Sequence, residues 1–295
     1  MIKDIKSNGP ICWPTLLLIV TCYTIWLASL WFLPLLLGVP VAGLAIALHA
    51  SLQHEVIHGH PTRWQRLNDA LICLPLNLVI PYERFRATHL AHHNDATLTD
   101  PYDDPETYYL ATETWARLPG LLQRVLRINN TLAGRLALGP IVGQVAFLLS
   151  EWCVRDGNVI RGWVAYLPAA LVVLAVVIMA PMPLWAYLIA AYLGLALLKL
   201  RTFLEHQAHE RASGRSVIIE DRGLFALLFL NNNLHVVHHM HPKVPWYVLP
   251  ALYRARRDHY LRRNGGYMYP SYGAILKQYL WRAKEPVAHP LWRRD

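Results

Sequence analysis

The sequence is poor in charged residues and in cysteine, and each shortage excludes classes of protein. Only 16% of its 295 residues are charged, against about 25% in ordinary soluble domains, so a soluble enzyme fits this composition poorly. A disordered chain is excluded because 55% of the residues are hydrophobic. The cysteines lie far apart without a CxxC pair, which indicates neither a disulfide framework nor a zinc ribbon. They are Cys12, Cys22, Cys73 and Cys153.

Long apolar runs are what the sequence has instead of charge. The net charge of +9 would suit a nucleic-acid partner, but these runs indicate a membrane and no nucleic acid. A helix needs about 20 apolar residues to cross the hydrocarbon layer. The runs that satisfy this are residues 13–33, 35–54, 162–180 and 184–203. Turns containing Pro or Gly join each pair, so we predict an all-α integral membrane protein with four transmembrane helices in two hairpins.

The basic residues predict the orientation of these spans. Lys3 and Lys6 precede the first span, the others lie within 63–161 and 199–294, and both hairpin turns have none. By the positive-inside rule, both termini and the large central loop are cytoplasmic. We therefore expect cytoplasmic segments at 55–161 and 204–295, which form a helical cap over one end of the bundle.

Two shorter apolar stretches do not fit as spans. Residues 67–80 are about 14 in number and include Pro75 and Asn77, which favours a buried or re-entrant segment. Residues 136–149 are equally short and are flanked by Arg135 and Glu151. This second stretch is typical of a helix that lies in the membrane interface.

Fifteen histidines are present, and most of them form tight clusters. One cluster is an HxxxH motif and two are HxxHH motifs, in which positions i and i+4 share a helix face and can reach one metal ion. The clustered residues are His54 and His58; His89, His92 and His93; His206 and His209; and His235, His238 and His239. The predicted topology places all of them on the cytoplasmic side. So many imidazoles at one membrane face predict a metal centre, because buried imidazole is costly without a partner.

The ligand type leaves the metal open among iron, copper, nickel and zinc. The segment from His54 to His58 also fits the HExxH pattern of zinc proteases, with Glu55 as general base. One zinc ion needs three protein ligands and leaves the other clustered histidines unexplained, whereas two ions with four or five imidazoles each use them all. A metal transporter needs ionisable residues within its spans, and the first and third spans have neither charge nor histidine.

The three motifs, in this order on four predicted spans, resemble the membrane fatty acid desaturase/hydroxylase superfamily of histidine-box di-iron enzymes. The resemblance extends from the first span to about Tyr247, and segments such as Thr99-Asp100-Pro101 are similar to bacterial members. It implies two iron ions, O2 as co-substrate and an electron donor protein such as a ferredoxin or rubredoxin. The ligands that it implies are His54, His58, His89, His92, His93, His235, His238 and His239, with His206 as the ninth and His209 as its rival.

The resemblance further implies an O2-dependent oxidase that acts on a membrane-embedded lipid. We expect a fatty acyl desaturase, with hydroxylation of an acyl chain, carotenoid or lipid headgroup as the alternative, in a single domain over residues 1–295. The implied location is a bacterial inner membrane, with the active site on the cytoplasmic side.

Polar residues beside the motifs are candidates for orienting the histidines. They are Asn231, Asn232 and Asn233, the acidic residues Asp95, Asp100, Asp103, Asp104 and Glu106, and Glu55. A run of arginines from Arg254 to Arg263 is expected to meet anionic lipid headgroups or an acidic electron donor.

Overall fold

A computed structural model describes residues 11–94, 96–154 and 156–292, so Lys3, Lys6 and Asp95 lie outside the described residues. The prediction of an all-α protein is confirmed, apart from one pair of two-residue strands. In chain order the helices are α1 Trp13–Trp31, α2 Leu35–Ile57, α3 Gln65–Ile72, α4 Tyr82–His92, α5 Thr112–Arg117, α6 Gly120–Asn129, α7 Leu132–Val154, α8 Gly157–Met179, α9 Leu184–Thr202, α10 Leu224–Leu228, α11 His235–Met240, α12 Leu249–Ala255, α13 Arg257–Arg263 and α14 Tyr272–Tyr279. Strand β1 Ile218–Ile219 pairs in parallel with β2 Met268–Tyr269.

The two predicted hairpins are the pairs α1–α2 and α8–α9. Their turns meet at one end of the bundle, because the Met182 N–H donates to the Leu30 carbonyl at 3.3 Å. Helix α2 packs closely against α9, where a Cβ on Gly194 would lie 2.9 Å from the Gly43 carbonyl oxygen. Small residues allow this close approach of two apolar helices. The histidine motifs lie at the other end of α2 and α9, which we call the metal face.

Helix α7 corrects one expectation. It runs for 23 residues rather than about 14, and it is long and apolar enough to be a fifth candidate span beside α1, α2, α8 and α9. Polar contacts hold both ends of this helix. Near its start the Arg135 Nε donates to the Asn129 carbonyl, and near its end Glu151 forms a two-point ion pair with Arg84 of α4.

The stretch 67–80 is the short helix α3 followed by irregular backbone that enters the bundle. Leu76 is fully buried and packs with Leu30 and Met182 near the hairpin turns. Side chains of the surrounding long helices donate to its backbone carbonyls, which satisfies acceptors that no regular secondary structure pairs. These donor–acceptor pairs are Tyr23 to Leu71, Gln53 to Ile72, Tyr187 to Leu76, Tyr166 to Leu78 and Gln144 to Val79. Of the two expected alternatives, buried or re-entrant, the structure shows the burial.

The segment after α9 folds back over the metal face. Its two strands bring Ile218 beside Met268, and a core around Leu234, Val237 and Tyr260 joins them to α11 and α13. This cap therefore supports α11, which carries the last histidine motif.

Candidate metal centre

Three helix ends bring the histidine motifs together. His54 lies in the last turn of α2 and His58 is its C-terminal cap, while His89 and His92 lie in the last turn of α4. Helix α11 begins with His235. Because each motif is at the end of a helix, the imidazoles project toward a shared space between the bundle and the cap.

Nine imidazoles meet there in two groups. In each group one ring nitrogen of every histidine lies within 4.8 Å of the corresponding atoms of the others, so each group could hold a metal ion. The first group contains His54, His58, His89, His93 and His238, and the second contains His92, His206, His235 and His239.

The two HxxHH motifs divide between the groups in the same way. His89 and His93, four residues apart, join the first group, and His92 turns to the second. His235 and His239 join the second group, and His238 turns to the first. Each motif therefore contributes to both groups, which fixes the groups side by side.

The nitrogens are positioned for a cation rather than for hydrogen bonds to one another. In the first group the His89 Nε2 lies 3.0 Å from Nε2 of both His58 and His93. In the second, the His206 Nε2 lies 2.9 Å from Nε2 of His92 and 3.0 Å from that of His235. A neutral imidazole nitrogen offers one proton or one lone pair and does not satisfy two such neighbours.

One further atom supports the same interpretation. The His54 Nε2 is buried and has no hydrogen-bond partner among the described residues. Buried polar atoms are nearly always satisfied, and a metal ion in the first group would satisfy this one.

Two carboxylates orient the histidines of α4 by contacting the ring nitrogen that does not face the histidine groups. The His92 Nδ1 lies 2.8 Å from Oδ1 of buried Asp104, and the His89 Nδ1 lies 3.1 Å from Oε1 of Glu106. Asp104 is itself fixed, since its Oδ2 accepts the Thr99 N–H at 2.8 Å. Such partners set the tautomer that leaves Nε2 free for a metal.

A second chain of polar groups supports His235. Its Nδ1 lies 3.1 Å from Oδ1 of Asn232, whose amide donates to Oε1 of Glu205 at 2.8 Å. The Arg201 Nε lies 3.1 Å from that same oxygen. His206 has a different partner, the Ser216 hydroxyl, 3.2 Å from its Nδ1.

The electrostatics favour neutral imidazoles at most positions. Burial, followed by the neighbouring imidazoles, lowers the pKa of His58 to about 2. The same two causes hold the pKa values of His206 and His235 well below their ordinary value. His92 differs: burial acts to lower its pKa, but Glu106 and Asp104 together outweigh it and raise the pKa to about 9.

Several residues named as candidates do not reach the two groups. The Nδ1 of His209 accepts the Arg211 N–H at 3.1 Å, and His209 belongs to neither group. Of the three asparagines only Asn232 contacts a clustered histidine; Asn231 donates to the Trp246 carbonyl and Asn233 to that of Ile219. No sequence signal marked Ser216, because a serine between motifs has no characteristic spacing.

Among the other acidic candidates, Asp100 accepts backbone N–H groups in its own turn, including that of Tyr102 at 2.8 Å. Asp103 is exposed. The Oε1 of Glu55 accepts the Trp246 N–H at 3.2 Å and lies 3.8 Å from the His60 Nε2. This carboxylate is thus held by the segment before α12, which does not favour its use as the base of a zinc protease.

The protein therefore combines helices that are long and apolar enough to span a membrane with two adjoining histidine groups, each of which could hold a metal ion. The sequence matches the fatty acid desaturase family over residues 26–271. Because this match covers most of the chain, the protein belongs to the fatty acid desaturase family. Comparison with curated proteins gives no match.

Proposed function

We propose that the protein is an O2-dependent di-iron oxidase that desaturates the acyl chain of a membrane lipid. The observation that carries this proposal is the division of nine histidines into adjoining groups of five and four. Two ions side by side, with all-imidazole coordination, use every clustered histidine except His209. Family membership supports iron as the metal and a lipid as the substrate.

The residues that would hold the two ions are those of the two groups, with His206 as the ninth ligand. A di-iron centre supplies the oxidising power that removes hydrogen from an unactivated C–H bond, and the protein contributes position and shielding. Asp104 and Glu106 orient His92 and His89, and Asn232 orients His235. Seven of the nine histidines are buried, which limits the access of water to the centre.

We also propose four spans, with α7 lying along the membrane surface and the metal face in the cytoplasm. Two contacts support this position of α7: Arg135 with Asn129, and Glu151 with Arg84. A spanning helix of 23 residues would separate its ends by roughly 34 Å. Here the late residue Glu151 is instead joined to α4, which carries His89 and His92 and is followed by His93.

Labelling of introduced cysteines tests this topology. In a variant whose native cysteines are replaced by serine, Arg124→Cys lies before α7 and Asp156→Cys follows it; both positions are exposed. We expect an impermeant reagent to label both from the same side of sealed vesicles. Labelling from opposite sides would make α7 a fifth span.

Metal content tests the reaction class. We expect about two iron ions per chain in the purified protein, and Mössbauer spectra of iron-57 protein that show a coupled pair. One zinc ion and no iron would exclude the oxidase.

Lipid extracts test which reaction the oxidase performs. Extracts of cells that express the protein should contain new double bonds that are absent from cells expressing a His238→Ala variant. New hydroxyl groups would establish the hydroxylase alternative instead.

Electron supply is the remaining requirement. We infer a one-electron donor protein, such as a ferredoxin or rubredoxin, because the proposed reaction consumes external electrons. Reconstitution with each donor and measurement of O2 consumption tests the assignment.

A further inference from the structure

A cavity of about 580 Å³ lies beside the metal centre, between α10 and α12, and none of the clustered histidines lines it. Its floor is apolar and includes Ala226, Leu227 and Leu234. Its rim carries the side chains of Arg222, Arg254 and Arg257. A site with an apolar floor and a cationic rim matches a molecule that has an apolar part and an anionic part.

The position of the floor follows from what the end of α10 contacts. Asn231, three residues after α10, donates to the Trp246 carbonyl at 3.0 Å, and the Trp246 N–H donates at 3.2 Å to Glu55 near the end of α2. The end of α10 therefore lies level with the end of α2, at the boundary of the hydrocarbon layer when α2 spans the membrane.

One side of α10 has no protein cover. Leu224 is 68% exposed and Leu227 is 51% exposed. At the boundary of a bilayer, exposed leucines insert between the headgroups and contact acyl chains. The floor of the cavity is thus continuous with an apolar surface that can face lipid.

The opposite wall of the cavity lies at the level of the membrane surface. The Cys12 thiol, one residue before α1, donates to the Tyr247 hydroxyl oxygen at 3.4 Å, and Tyr247 precedes α12 by two residues. Helix α12 then contributes Pro250, Tyr253 and Arg254 to the cavity. Arg254 is therefore placed where the headgroups of a bilayer begin.

The charges of the rim are only partly compensated. Arg257 pairs with Glu220 at 2.6 Å, and Tyr253 donates to the same carboxylate. Within the described ranges, Arg222 and Arg254 have no ion pair, and both are exposed. The oxygens of the remaining lining carboxylate, Asp221, accept backbone N–H groups instead. The three guanidinium groups of the rim exceed its two carboxylates by one positive charge, and those of Arg222 and Arg254 can donate to an anion.

We propose that this cavity binds one anionic phospholipid, with its phosphate between Arg222 and Arg254 and an acyl chain along Leu224 and Leu227. Guanidinium groups bind phosphate through paired, charge-assisted hydrogen bonds, and the apolar floor leads directly into the hydrocarbon layer. A soluble donor protein would meet the same arginines, but it would leave the lipid-facing leucines unused. The proposed site lies outside the two histidine groups and is independent of the proposed reaction.

Lipid retention by the purified full-length protein tests the proposal. Native mass spectrometry would count bound phosphatidylglycerol and phosphatidylcholine with identical acyl chains, without O2 or reductant. We expect preferential retention of phosphatidylglycerol, and a loss of about tenfold in its affinity in Arg222→Gln/Arg254→Gln, as for the loss of charge-assisted hydrogen bonds. The matched control Arg262→Gln removes an exposed arginine outside the cavity and should leave retention unchanged.

Two further measurements separate the possible sources of the anion. Leu227→Asn should weaken lipid retention, and inorganic phosphate should not displace the lipid. If inorganic phosphate competes and Leu227→Asn has no effect, the cavity is an anion site and the proposal is wrong. If the double variant retains lipid normally but accepts electrons from its donor more slowly, the surface belongs to the donor, which also overturns the proposal. Iron content, measured in parallel, confirms folding and reports separately on the proposed function.

Discussion

The imidazole of His92 has a close partner on each side. Its Nδ1 lies 2.8 Å from Oδ1 of Asp104, and its Nε2 lies 2.9 Å from Nε2 of His206. This relationship connects an acidic loop after α4 to the second histidine group. The carboxylate fixes the ring, and it also raises the pKa of His92, together with Glu106 and against the effect of burial. His92 therefore has to release a proton before it can bind a metal ion.

Asp104→Asn tests the importance of this carboxylate. The amide keeps the size of the side chain but removes the charge that sets the tautomer of His92. We expect the second group to lose metal affinity by about 10- to 100-fold, as for other residues that orient metal-bound histidines. Metal titration of the purified variant measures this. Asp103→Asn is the control, because Asp103 is exposed one residue away. Equal losses in both variants would show that the loop acts through its overall charge.

The choice of ninth ligand can be tested with a matched pair of alanine variants. His206 lies in the second group, whereas His209 is held by the backbone of its own turn. We expect His206→Ala to lose metal from the second group and to abolish turnover, while His209→Ala keeps about the metal content of the unaltered protein. Metal analysis of the two proteins after identical purification decides the question. Metal loss in His209→Ala alone would reverse the assignment.

Much of this arrangement could be predicted from the sequence. The i, i+4 spacing predicts that His54 and His58 share a helix face, and the distribution of basic residues places all motifs at one end of the bundle. The crossing of His92 and His238 between the groups was not predictable. It depends on how α4 and α11 face each other, which is a tertiary relationship.

The length of α7 shows a different limit. Gly139 and Pro140 interrupt the apolar pattern and predict a short helix, yet the helix continues through both. Its neighbours provide the reason: a Cβ on Gly139 would lie 2.9 Å from the Arg135 side chain and 3.1 Å from that of Lys199. The glycine thus makes room for packing rather than ending the helix. Composition alone does not distinguish these two uses of glycine.

The ion pair between Arg84 and Glu151 joins α4 to α7 and should contribute strongly to stability. Both oxygens of Glu151 accept from Arg84, at 2.7 and 2.9 Å, and the Trp163 indole donates to one of them at 3.0 Å. Glu151→Gln leaves a largely buried guanidinium uncompensated, which costs about 3–5 kcal/mol. Thermal unfolding in detergent measures the loss.

A double variant separates the charge from the shape of this contact. In Arg84→Met/Glu151→Leu no charge is left unpaired, so we expect part of the lost stability to return. A double variant less stable than Glu151→Gln would show that the hydrogen bonds, rather than the uncompensated charge, account for the effect.

The hydrogen bond from Tyr187 to the Leu76 carbonyl should hold the buried segment 67–80 in place. The donor–acceptor distance is 2.5 Å, and the Trp26 indole donates to the same hydroxyl at 3.2 Å. Tyr187→Phe removes the donor and leaves a buried carbonyl unsatisfied, at a cost of about 1–3 kcal/mol. Tyr192→Phe, which loses a contact with Ala137 on a more exposed surface, is the control and should cost less. Equal unfolding temperatures for both variants would contradict this role of Tyr187.

The metal-free protein should lose stability as the pH falls below about 6.5. Unfolded histidines bind protons near that pH, whereas burial and neighbouring imidazoles keep the pKa values of His58, His206 and His235 far lower in the folded state. The unfolded state therefore binds more protons, and each such group costs about 1.4 kcal/mol per pH unit below 6.5. His92 acts in the opposite direction, because its raised pKa of about 9 adds stability that is lost as the pH rises through that value.

Burial also lowers the pKa values of His93 and His238, whereas it raises that of Glu285 to about 7. Because the depressed groups named here outnumber the raised ones, the unfolding temperature of chelator-treated protein should fall as the pH falls from about 7 to about 5. Thermal unfolding at several pH values measures this. His58→Gln removes one depressed group and should make the dependence shallower by about one proton, while His259→Gln changes an exposed histidine and is the control. An unfolding temperature that rises as the solution is acidified would contradict the neutral state of the buried imidazoles, and with it their readiness to bind metal.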